Sequence, residues 1–334
     1  MDDTLIEVKN LKTYFYTDSQ VSKAVDDISF SIKKGKVACI VGESGCGKSV
    51  TSLSIMRLIS NPGKIVGGEI NYNGKNILNM SSKEIQNLRG NEITMIFQEP
   101  MISLNPVLKI GKQILEGIME HSLLSKKEAY NKAVELLKRV GLSRPDEIME
   151  SYPHELSGGM LQRIMIAISL SCNPKLLIAD EPTTALDVTI QAQILDILRQ
   201  IKDETDMSIL FITHDLGVVA EIADYVIVMY AGKIIEEASV LEIFKNPKHP
   251  YTKGLLKSKP VIGERKKRLY SINGQVPELI NLTESCYFSD RCENCMSICR
   301  KKAPLYISDS NEHKVACWLY SKEGKHEQTI VRSN

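Results

Sequence analysis

The first third of the chain carries the hydrophobic pattern of short strands. Residues 28–32, ISFSI, alternate apolar and polar side chains, a period of two that is typical of a strand with one buried face. Residues 5–9 and 13–16 predict two more short strands, and Asn-Gly at 73–74 predicts a type I′ hairpin. We therefore expect an antiparallel β layer in this part of the chain.

The period changes to 3.6 between residues 110 and 140, which predicts helices. Ser125 and Glu128 have the spacing of a capping box, and Gly141 is a suitable C-terminal stop. These helices interrupt the strands of the core as a helical insertion. The apolar face is expected to contain Ala129, Val134, Leu137 and Val140.

Four short segments composed mostly of apolar residues predict buried strands, and each is followed directly by polar residues that could carry chemistry. The segments are 37–41 before GESGCGKS, 92–97 before Gln98, 175–179 before Asp180 and Glu181, and 208–213 before His214 and Asp215. The chain is thus predicted to have an α/β core whose strand ends carry the candidate site.

Residues 42–49, GESGCGKS, match the P-loop pattern GxxxxGKS, and residues 52–59 after them suit a helix. Glycines allow successive backbone N–H groups to turn toward phosphate oxygens, Lys48 supplies a positive charge for the β- and γ-phosphates, and Ser49 offers a hydroxyl to Mg²⁺. Because Cys46 lies inside the loop, bound ATP is expected to block its alkylation. The nucleotide-binding residues predicted here are Gly42, Ser44, Gly45, Cys46, Gly47, Lys48, Ser49 and Val50.

The other strand ends complete the predicted phosphate chemistry. Asp180 is positioned to hold Mg²⁺, and Glu181 beside it to orient or deprotonate water. Gln98 suits a metal or an attacking water, and His214 ends a further strand of the same core. Ser157 to Gly159, SGG before a helix, form a second anion-binding helix start without a lysine, which calls for the nucleotide of a second chain.

The amino-acid composition does not indicate a particular class of binding partner. The 334 residues include 42 basic and 41 acidic side chains, a net charge of +1, which does not favour nucleic acid or an anionic membrane as a bulk electrostatic partner. Apolar runs fall short of the roughly 18 to 20 residues of a membrane span, and the first residues lack the zones of a signal peptide. We expect a soluble chain that stays where it is made.

In their order, these motifs resemble the ATP-binding subunit of ABC transporters, over roughly residues 5 to 240. The resemblance implies a Q-loop at Gln98, a signature at 156–160, a Walker B strand at 176–180, a D-loop at 185–187 and a switch His214. It implies that Glu181, His214 and Gln98 are catalytic and that Ser49, Gln98 and Asp180 hold Mg²⁺.

Two such domains close head to tail in this family. Ser157 and Gly159 are therefore expected to contact the ATP bound by the partner. Phe15 takes the position that stacks on adenine, with Tyr14 and Tyr16 as alternatives.

Four segments resemble the oligopeptide/dipeptide importer branch, which also includes nickel importers: FQEPMISLNP at 97–106, LSGGM at 156–160, IADEPTTALDVTIQAQIL at 178–195 and HPYTKGLL at 249–256. Met160 and the TTALD segment resemble the first of that branch's two ATPase subunits. At position 161 this chain has Leu, where Arg is common in the branch. This difference could alter the interface with the partner ATPase.

The resemblance implies ATP hydrolysis that powers uptake of oligopeptides or dipeptides, with nickel or another small solute as the alternative cargo. It implies a peripheral protein on the cytoplasmic face of the membrane. Its implied partners are a second, non-identical ATPase, two membrane permeases and, indirectly, an extracytoplasmic substrate-binding protein, with no nucleic acid. A soluble ABC ATPase acting on nucleic acid or ribosomes is a remote alternative, since it would need coiled-coil insertions or a second cassette.

Eight cysteines without a secretion signal favour thiols or metal ligands over disulfides. Cys286, Cys292, Cys299 and Cys317 resemble the C-terminal motif that holds a 4Fe-4S cluster in some members of this branch. Zinc is an alternative for four thiolates, and the extra Cys295 could replace Cys292 or Cys299. A third hypothesis makes this tail a redox sensor that gates the ATPase.

The predicted fold is thus α/β: a P-loop NTPase core with an antiparallel β layer and a helical subdomain, plus a small Cys-rich C-terminal extension. The expected ATP-binding domain spans 1–255, with its helical subdomain at about 100–165, and the extension spans 256–334. Between them, the charged run at 264–268 is expected to be a solvated linker, with contact to lipid headgroups as the alternative.

Overall fold

A computed structural model describes residues 3–17, 20–99, 103–184, 186–258, 270–280, 282–308 and 312–324. These residues form two compact units, each assembled from separate stretches of the chain. Unit 1 contains the described residues within Met1–Ile6, Ile32–Val37 and Asn71–Ile212, and unit 2 contains those within Glu7–Ser31, Ala38–Ile70 and Thr213–Asn334. The charged run at 264–268 and Ala185 of the D-loop lie outside the described residues. The domain boundary after residue 255 remains a prediction.

Twelve strands are found in the described part of the chain. They are β1 Thr4–Tyr16, β2 Val21–Lys33, β3 Val37–Val41, β4 Gly63–Tyr72, β5 Lys75–Asn76, β6 Ile93–Ile96, β7 Leu176–Asp180, β8 Ser208–Thr213, β9 Tyr225–Tyr230, β10 Lys233–Ser239, β11 Tyr306–Ser308 and β12 Lys314–Ala316.

Ten α-helices are found there as well. They are α1 Lys48–Ile55, α2 Ser82–Leu88, α3 Ile110–His121, α4 Lys126–Arg139, α5 Pro145–Glu150, α6 Gly158–Ser169, α7 Val188–Thr205, α8 Leu216–Ile222, α9 Val240–Lys245 and α10 Pro250–Lys257.

In unit 1, β6, β7 and β8 form parallel pairs. Ile93 faces Leu176 across β6 and β7, and Leu176 faces Ser208 across β7 and β8. All residues of these strands are buried. Strands covered on both faces need continuous apolar runs, which is why the sequence shows these strands without alternation.

The helices α3, α4, α5 and α6 of unit 1 pack against one another. The predicted capping box is confirmed: Ser125 accepts from the Glu128 N–H, and the Glu128 side chain accepts from Ser125. Of the predicted apolar face, Ala129, Leu137 and Val140 are buried and Val134 is half-buried. Ala133 and Leu136 of α4 are buried as well.

Unit 2 contains a mixed run of strands. β3 is parallel to β9, with Ala38 facing Tyr225, and β9 is antiparallel to β10. β10 then pairs with β12, and β12 with β11, both antiparallel. The strand that leads into the P-loop is therefore continuous, through β9 and β10, with strands of the C-terminal region.

The predicted strands at 5–9 and 13–16 are one long strand, β1, which neighbours β2 in another sheet. Asn10 lies between them with φ 47°, so a left-handed residue bends the strand without ending it. After β1, Thr17 and Gln20 exchange both backbone hydrogen bonds, as facing residues do in an antiparallel hairpin.

The Asn73-Gly74 hairpin of unit 1 is confirmed. Both residues have positive φ, 47° and 79°, as a type I′ turn requires, and Tyr72 faces Lys75 across it. The second strand of the hairpin, β5, ends at Asn76, because the Asn76 side chain caps a 3₁₀ turn at Ile77–Asn79.

Candidate functional site

The P-loop lies in unit 2 between the buried strand β3 and helix α1. The helix begins at Lys48 and ends at Ile55, earlier than the predicted 52–59. Glycine is required at positions 42 and 47 because backbone atoms of other strands lie too close for a side chain. A Cβ on Gly42 would lie 2.3 Å from the Met229 carbonyl oxygen, and one on Gly47 would lie 2.3 Å from the Ala24 carbonyl oxygen. Gly47 also has φ 102°, which L side chains rarely adopt.

Lys48 is the cation of this loop and is only 5% exposed. Its ammonium donates to the Gly42 carbonyl oxygen at 2.9 Å and to the Glu43 carbonyl oxygen at 3.1 Å. These two bonds hold the charge over the loop. Ser44 and Gly45 are exposed, and no atom lies within 4 Å of a Cβ built on Gly45, so the loop is open to an anion on that side.

Ser49 and Val50 are half-buried at the start of α1, whereas Cys46 is fully buried. Burial raises the pKa of the Cys46 thiol, although Lys48 nearby lowers it in part. The thiol lies against the loop itself, since a Cβ built on Gly42 would be 2.7 Å from Cys46 Sγ. The expectation that ATP shields this thiol from alkylation stays a prediction. Sequence spacing assigns the backbone position but not the side-chain direction.

Glu43, the second residue of the loop, was not singled out by its sequence context. Its N–H donates to the Tyr251 hydroxyl at 2.8 Å, and its carboxylate receives two bonds from the Arg291 guanidinium at 2.6 and 3.0 Å. Tyr251 belongs to the segment HPYTKGLL, and Arg291 lies in the segment between Cys286 and Cys292 of the C-terminal cysteine motif. Both segments pointed to the importer branch, but nothing in them indicated contact with the P-loop.

In unit 1, Glu181 and Gln98 lie together. Gln98 Nε2 donates to Glu181 Oε2 at 3.4 Å, and the Thr184 hydroxyl donates to the same oxygen at 2.9 Å. Glu181 has φ 48°, and its N–H donates to the Ile212 carbonyl oxygen at 2.9 Å. A non-glycine residue held in the left-handed region is a local strain that often marks a functional position.

Asp180, the last residue of β7, is 4% exposed and faces Ile212 of β8. His214 directly follows β8 and is exposed. The next residue, Asp215, caps helix α8 by accepting from the Gly217 N–H at 2.7 Å. Asp180 and His214 therefore lie at the ends of β7 and β8, as their sequence positions predicted.

The signature segment forms the start of helix α6. Ser157 is exposed and caps the helix, accepting from the Met160 N–H at 3.4 Å. Nothing lies within 4 Å of a Cβ built on Gly158, and one on Gly159 would lie 3.2 Å from Ile190. Leu161 is fully buried, so the departure at this position belongs to the core of unit 1 rather than to an exposed face.

The three candidate adenine contacts differ in their surroundings. The Tyr14 hydroxyl donates to Asp26 at 2.7 Å, and Tyr16 is 41% exposed. Phe15 points to the other side of β1 because successive side chains alternate, and its ring packs against Gly63, whose Cβ would lie 2.7 Å from it. Phe15 is half-buried.

The cysteines are free thiols, in agreement with the preference for thiols over disulfides. Burial, with a smaller contribution from nearby thiols including Cys299, raises the pKa of Cys286 to about 12, of Cys292 to about 11 and of Cys317 to about 12. The Cys295 thiol contacts the Met296 carbonyl oxygen at 3.6 Å. Nevertheless, the described residues contain no group of three or more His, Cys, Asp or Glu side chains that could hold a metal ion, so the predicted cluster is not supported.

Within the described part of the chain, no helix has the length and apolar character needed to cross a membrane. The sequence matches the ABC transporter family model over residues 25–184, and the model of the oligopeptide/dipeptide transporter C-terminal region over residues 235–299.

Curated relatives match nearly the whole chain. The oligopeptide transport ATP-binding protein AppD of Bacillus subtilis (strain 168) is 53% identical over 322 residues, which cover 96% of this chain and 98% of the relative. The dipeptide transport ATP-binding protein DppD of the same organism is 46% identical over 325 residues, 97% of each chain.

A solved ATP-binding cassette, a dimer in a post-hydrolysis state bound to ADP and Pi, has a TM-score of 0.64 and 26% identity to this chain. The likeness covers 70% of this chain and 98% of that structure. The chain thus belongs to the ATP-binding proteins of ABC transporters, in the oligopeptide/dipeptide branch, and it is an ATPase.

Proposed function

We propose that this ATPase powers the uptake of oligopeptides or dipeptides through an ABC importer. The observation that carries the proposal is that an ATP-binding cassette and the oligopeptide/dipeptide C-terminal region occur in one chain. The relatives named for oligopeptide and dipeptide transport favour peptides over nickel or another small solute as cargo. The C-terminal match also favours an importer over an ATPase that acts on nucleic acid.

The P-loop supplies the fixed charge of the nucleotide site. Two carbonyl oxygens hold the Lys48 ammonium, so the cation is in place before the β- and γ-phosphates arrive and little reorganisation is needed. Backbone N–H groups of the loop donate hydrogen bonds to phosphate oxygens. They belong to the exposed Ser44 and Gly45 and to Gly42, Cys46, Gly47 and Val50. Phe15 stacks on the adenine.

The residues proposed for Mg²⁺ are Ser49, Gln98 and Asp180. Their hydroxyl, amide and carboxylate oxygens are hard donors, which fit this ion. When bound, Mg²⁺ neutralises charge on the phosphates. Glu181 orients and deprotonates the attacking water, Gln98 restrains the Glu181 carboxylate by the contact at 3.4 Å, and His214 contacts the γ-phosphate.

The start of helix α6 is proposed to serve a second chain. Ser157 is exposed and Gly158 has open space around it, so an anion can approach the backbone N–H groups of Ser157 to Gly159. The nucleotide there belongs to a second, non-identical ATPase. Membrane permeases follow from the importer role; we propose two of them, with this chain on the cytoplasmic face and a substrate-binding protein acting indirectly outside.

For residues 256–334 we propose a small Cys-rich extension. Cys286, Cys292, Cys299 and Cys317 influence one another electrostatically. Their described arrangement does not fit a 4Fe-4S cluster or zinc, since it provides no group of three metal-ligating side chains. A cluster would require these thiols to rearrange, which the absorption spectrum of anaerobically purified protein would reveal. The proposed ATPase mechanism does not depend on it.

Two lysine substitutions, one in the P-loop and one on an exposed helix surface, test the proposal. Lys48→Ala removes the P-loop cation and is expected to abolish both ATP hydrolysis and the uptake of a labelled peptide by cells that depend on this chain. Lys83→Ala removes an exposed lysine on α2 and is the matched control. Undiminished peptide uptake in the Lys48→Ala variant would contradict the proposal, and ATP hydrolysis by the unaltered protein without peptide uptake would refute the cargo.

A further inference from the structure

Glu43 of the P-loop is bound at three points by the C-terminal part of unit 2. Its N–H donates to the Tyr251 hydroxyl at 2.8 Å. Its two carboxylate oxygens accept from Arg291 Nη1 at 2.6 Å and from Arg291 Nη2 at 3.0 Å. This is the bidentate geometry in which a guanidinium and a carboxylate fix each other's orientation as well as their distance.

Arg291 is itself fixed by its surroundings. Its side chain is 5% exposed, against 32% for Glu43. Nε donates to the Asn273 carbonyl oxygen at 2.9 Å, and Nη1 donates to the Tyr230 hydroxyl at 3.3 Å. The guanidinium also lies 5.7 Å from the centre of the Tyr230 ring and 6.0 Å from that of Phe288. Arg291 therefore presents a rigid fork to the loop.

Glu43 is one of the two residues whose carbonyl oxygens hold the Lys48 ammonium, the other being Gly42. The Glu43 carbonyl oxygen accepts from Lys48 Nζ at 3.1 Å and from the Cys46 N–H at 3.3 Å. Holding the Glu43 side chain and N–H therefore also orients the carbonyl that binds Lys48. A chain of direct contacts runs from Arg291 through Glu43 to the cation of the phosphate site.

We propose that Arg291 is a positioning residue for the P-loop, through which the C-terminal region keeps the loop in the shape that binds a nucleoside triphosphate. The inference rests on the proposed nucleotide site. It goes beyond that site because Arg291 belongs to the region expected to specify the importer branch, and it contacts no residue proposed to react. Without Arg291, the Glu43 carboxylate loses its bidentate partner and the loop is held less firmly, so part of the nucleotide-binding free energy is used to restore the loop.

The test measures the affinity for a fluorescent ATP analogue, together with KM and kcat for ATP, on the full chain. Arg291→Ala is expected to weaken nucleotide affinity and raise KM about 5- to 30-fold, with a smaller change in kcat. Arg291→Lys keeps the charge but loses the fork, so an intermediate loss is expected. The matched control is Arg300→Ala, which breaks the pair with Asp290 at 2.6 Å, where the two side chains are 62% and 81% exposed; it should leave affinity unchanged.

A second variant, Glu43→Gln, keeps the shape of the side chain but removes its charge and replaces one of its two acceptor oxygens with an NH₂ group. It therefore breaks the bidentate pair with Arg291, and the test stands even where Arg291→Ala does not fold. If Arg291 acts through Glu43, the double variant Arg291→Ala, Glu43→Gln loses no more affinity than the worse single variant. Affinity within twofold of the unaltered protein in folded Arg291→Ala, or in Glu43→Gln, overturns the inference, and so do fully additive losses. The proposed function is separate, since it fails only if the unaltered protein does not hydrolyse ATP or support peptide uptake.

Discussion

Glu236→Gln should measurably weaken the C-terminal part of unit 2. Glu236 lies on β10 and is fully buried. One carboxylate oxygen accepts from the Lys248 N–H at 2.6 Å and lies 2.7 Å from His313 Nε2, and the other accepts from the His249 N–H at 2.9 Å. A single carboxylate thus joins β10, the start of α10 and the segment leading to β12.

The expected loss follows from counting acceptors. Glutamine offers one oxygen where glutamate has two, so its amide group must face at least one of the buried N–H donors at Lys248 and His249. An unsatisfied buried donor costs about 1–3 kcal/mol, and bonds to a charged acceptor are at the upper end of that range. We therefore expect the free energy of unfolding to fall by about 1–3 kcal/mol at pH 7.

The effect should also depend on pH. Burial raises the pKa of Glu236, but the hydrogen bonds from His313 and from the N–H groups of Lys248 and His249 outweigh it, so the net pKa is lowered. A lowered pKa means that this stabilisation is present above the pKa of the unfolded chain, about 4.3, and is lost as the pH falls through the folded value. The difference between the two proteins should therefore shrink as the pH falls below about 4.3.

Urea unfolding followed by tryptophan fluorescence measures this difference. Trp318 is the only tryptophan of the chain; it is 5% exposed and lies beyond β12 in the same region. Glu323→Gln, which changes an exposed glutamate nearby, is the control. An unfolding free energy within about 0.5 kcal/mol of the unaltered protein at pH 7, the range typical of surface substitutions, would refute the acceptor argument.

Two further predictions concern the P-loop. Gly47→Ala should abolish nucleotide binding, measured with a fluorescent ATP analogue, because Gly47 has φ 102° and an added Cβ would lie 2.3 Å from a backbone oxygen. The control is Gly67→Ala, whose Cβ would lie 3.7 Å from the nearest atom, on the Lys12 side chain. Equal nucleotide binding by both variants would contradict the geometry. Cys46 should react with maleimide more slowly than the half-buried Cys172, with or without ATP, because its thiol is buried and its pKa is raised. Mass spectrometry of the labelled peptides measures this, and rapid labelling that ATP suppresses would show that the Cys46 thiol faces the nucleotide.

Several features were readable from the sequence because their physics is local. The P-loop needs only consecutive residues between a strand and a helix, and the Asn73-Gly74 turn and the Ser125 capping box depend on neighbours no more than a few positions away. The apolar runs of β6, β7 and β8 likewise revealed strands buried on both faces. These features follow from backbone geometry and burial, which periodicity records directly.

Side-chain directions and distant contacts were not readable in this way. The sequence placed Cys46 in the loop, but packing against the core decided that its thiol is buried. The cysteine spacing suggested a metal centre, yet the described thiols do not form a metal-binding group.

The P-loop shows both sides of this division. The sequence by itself predicted a phosphate-binding loop with its own lysine, because eight consecutive residues carry that chemistry. Only the tertiary structure decided that Arg291, 248 positions from Glu43, binds the loop. Such a contact depends on how β3, β9 and the C-terminal region pack, and no local pattern records which distant side chain will meet a given carboxylate.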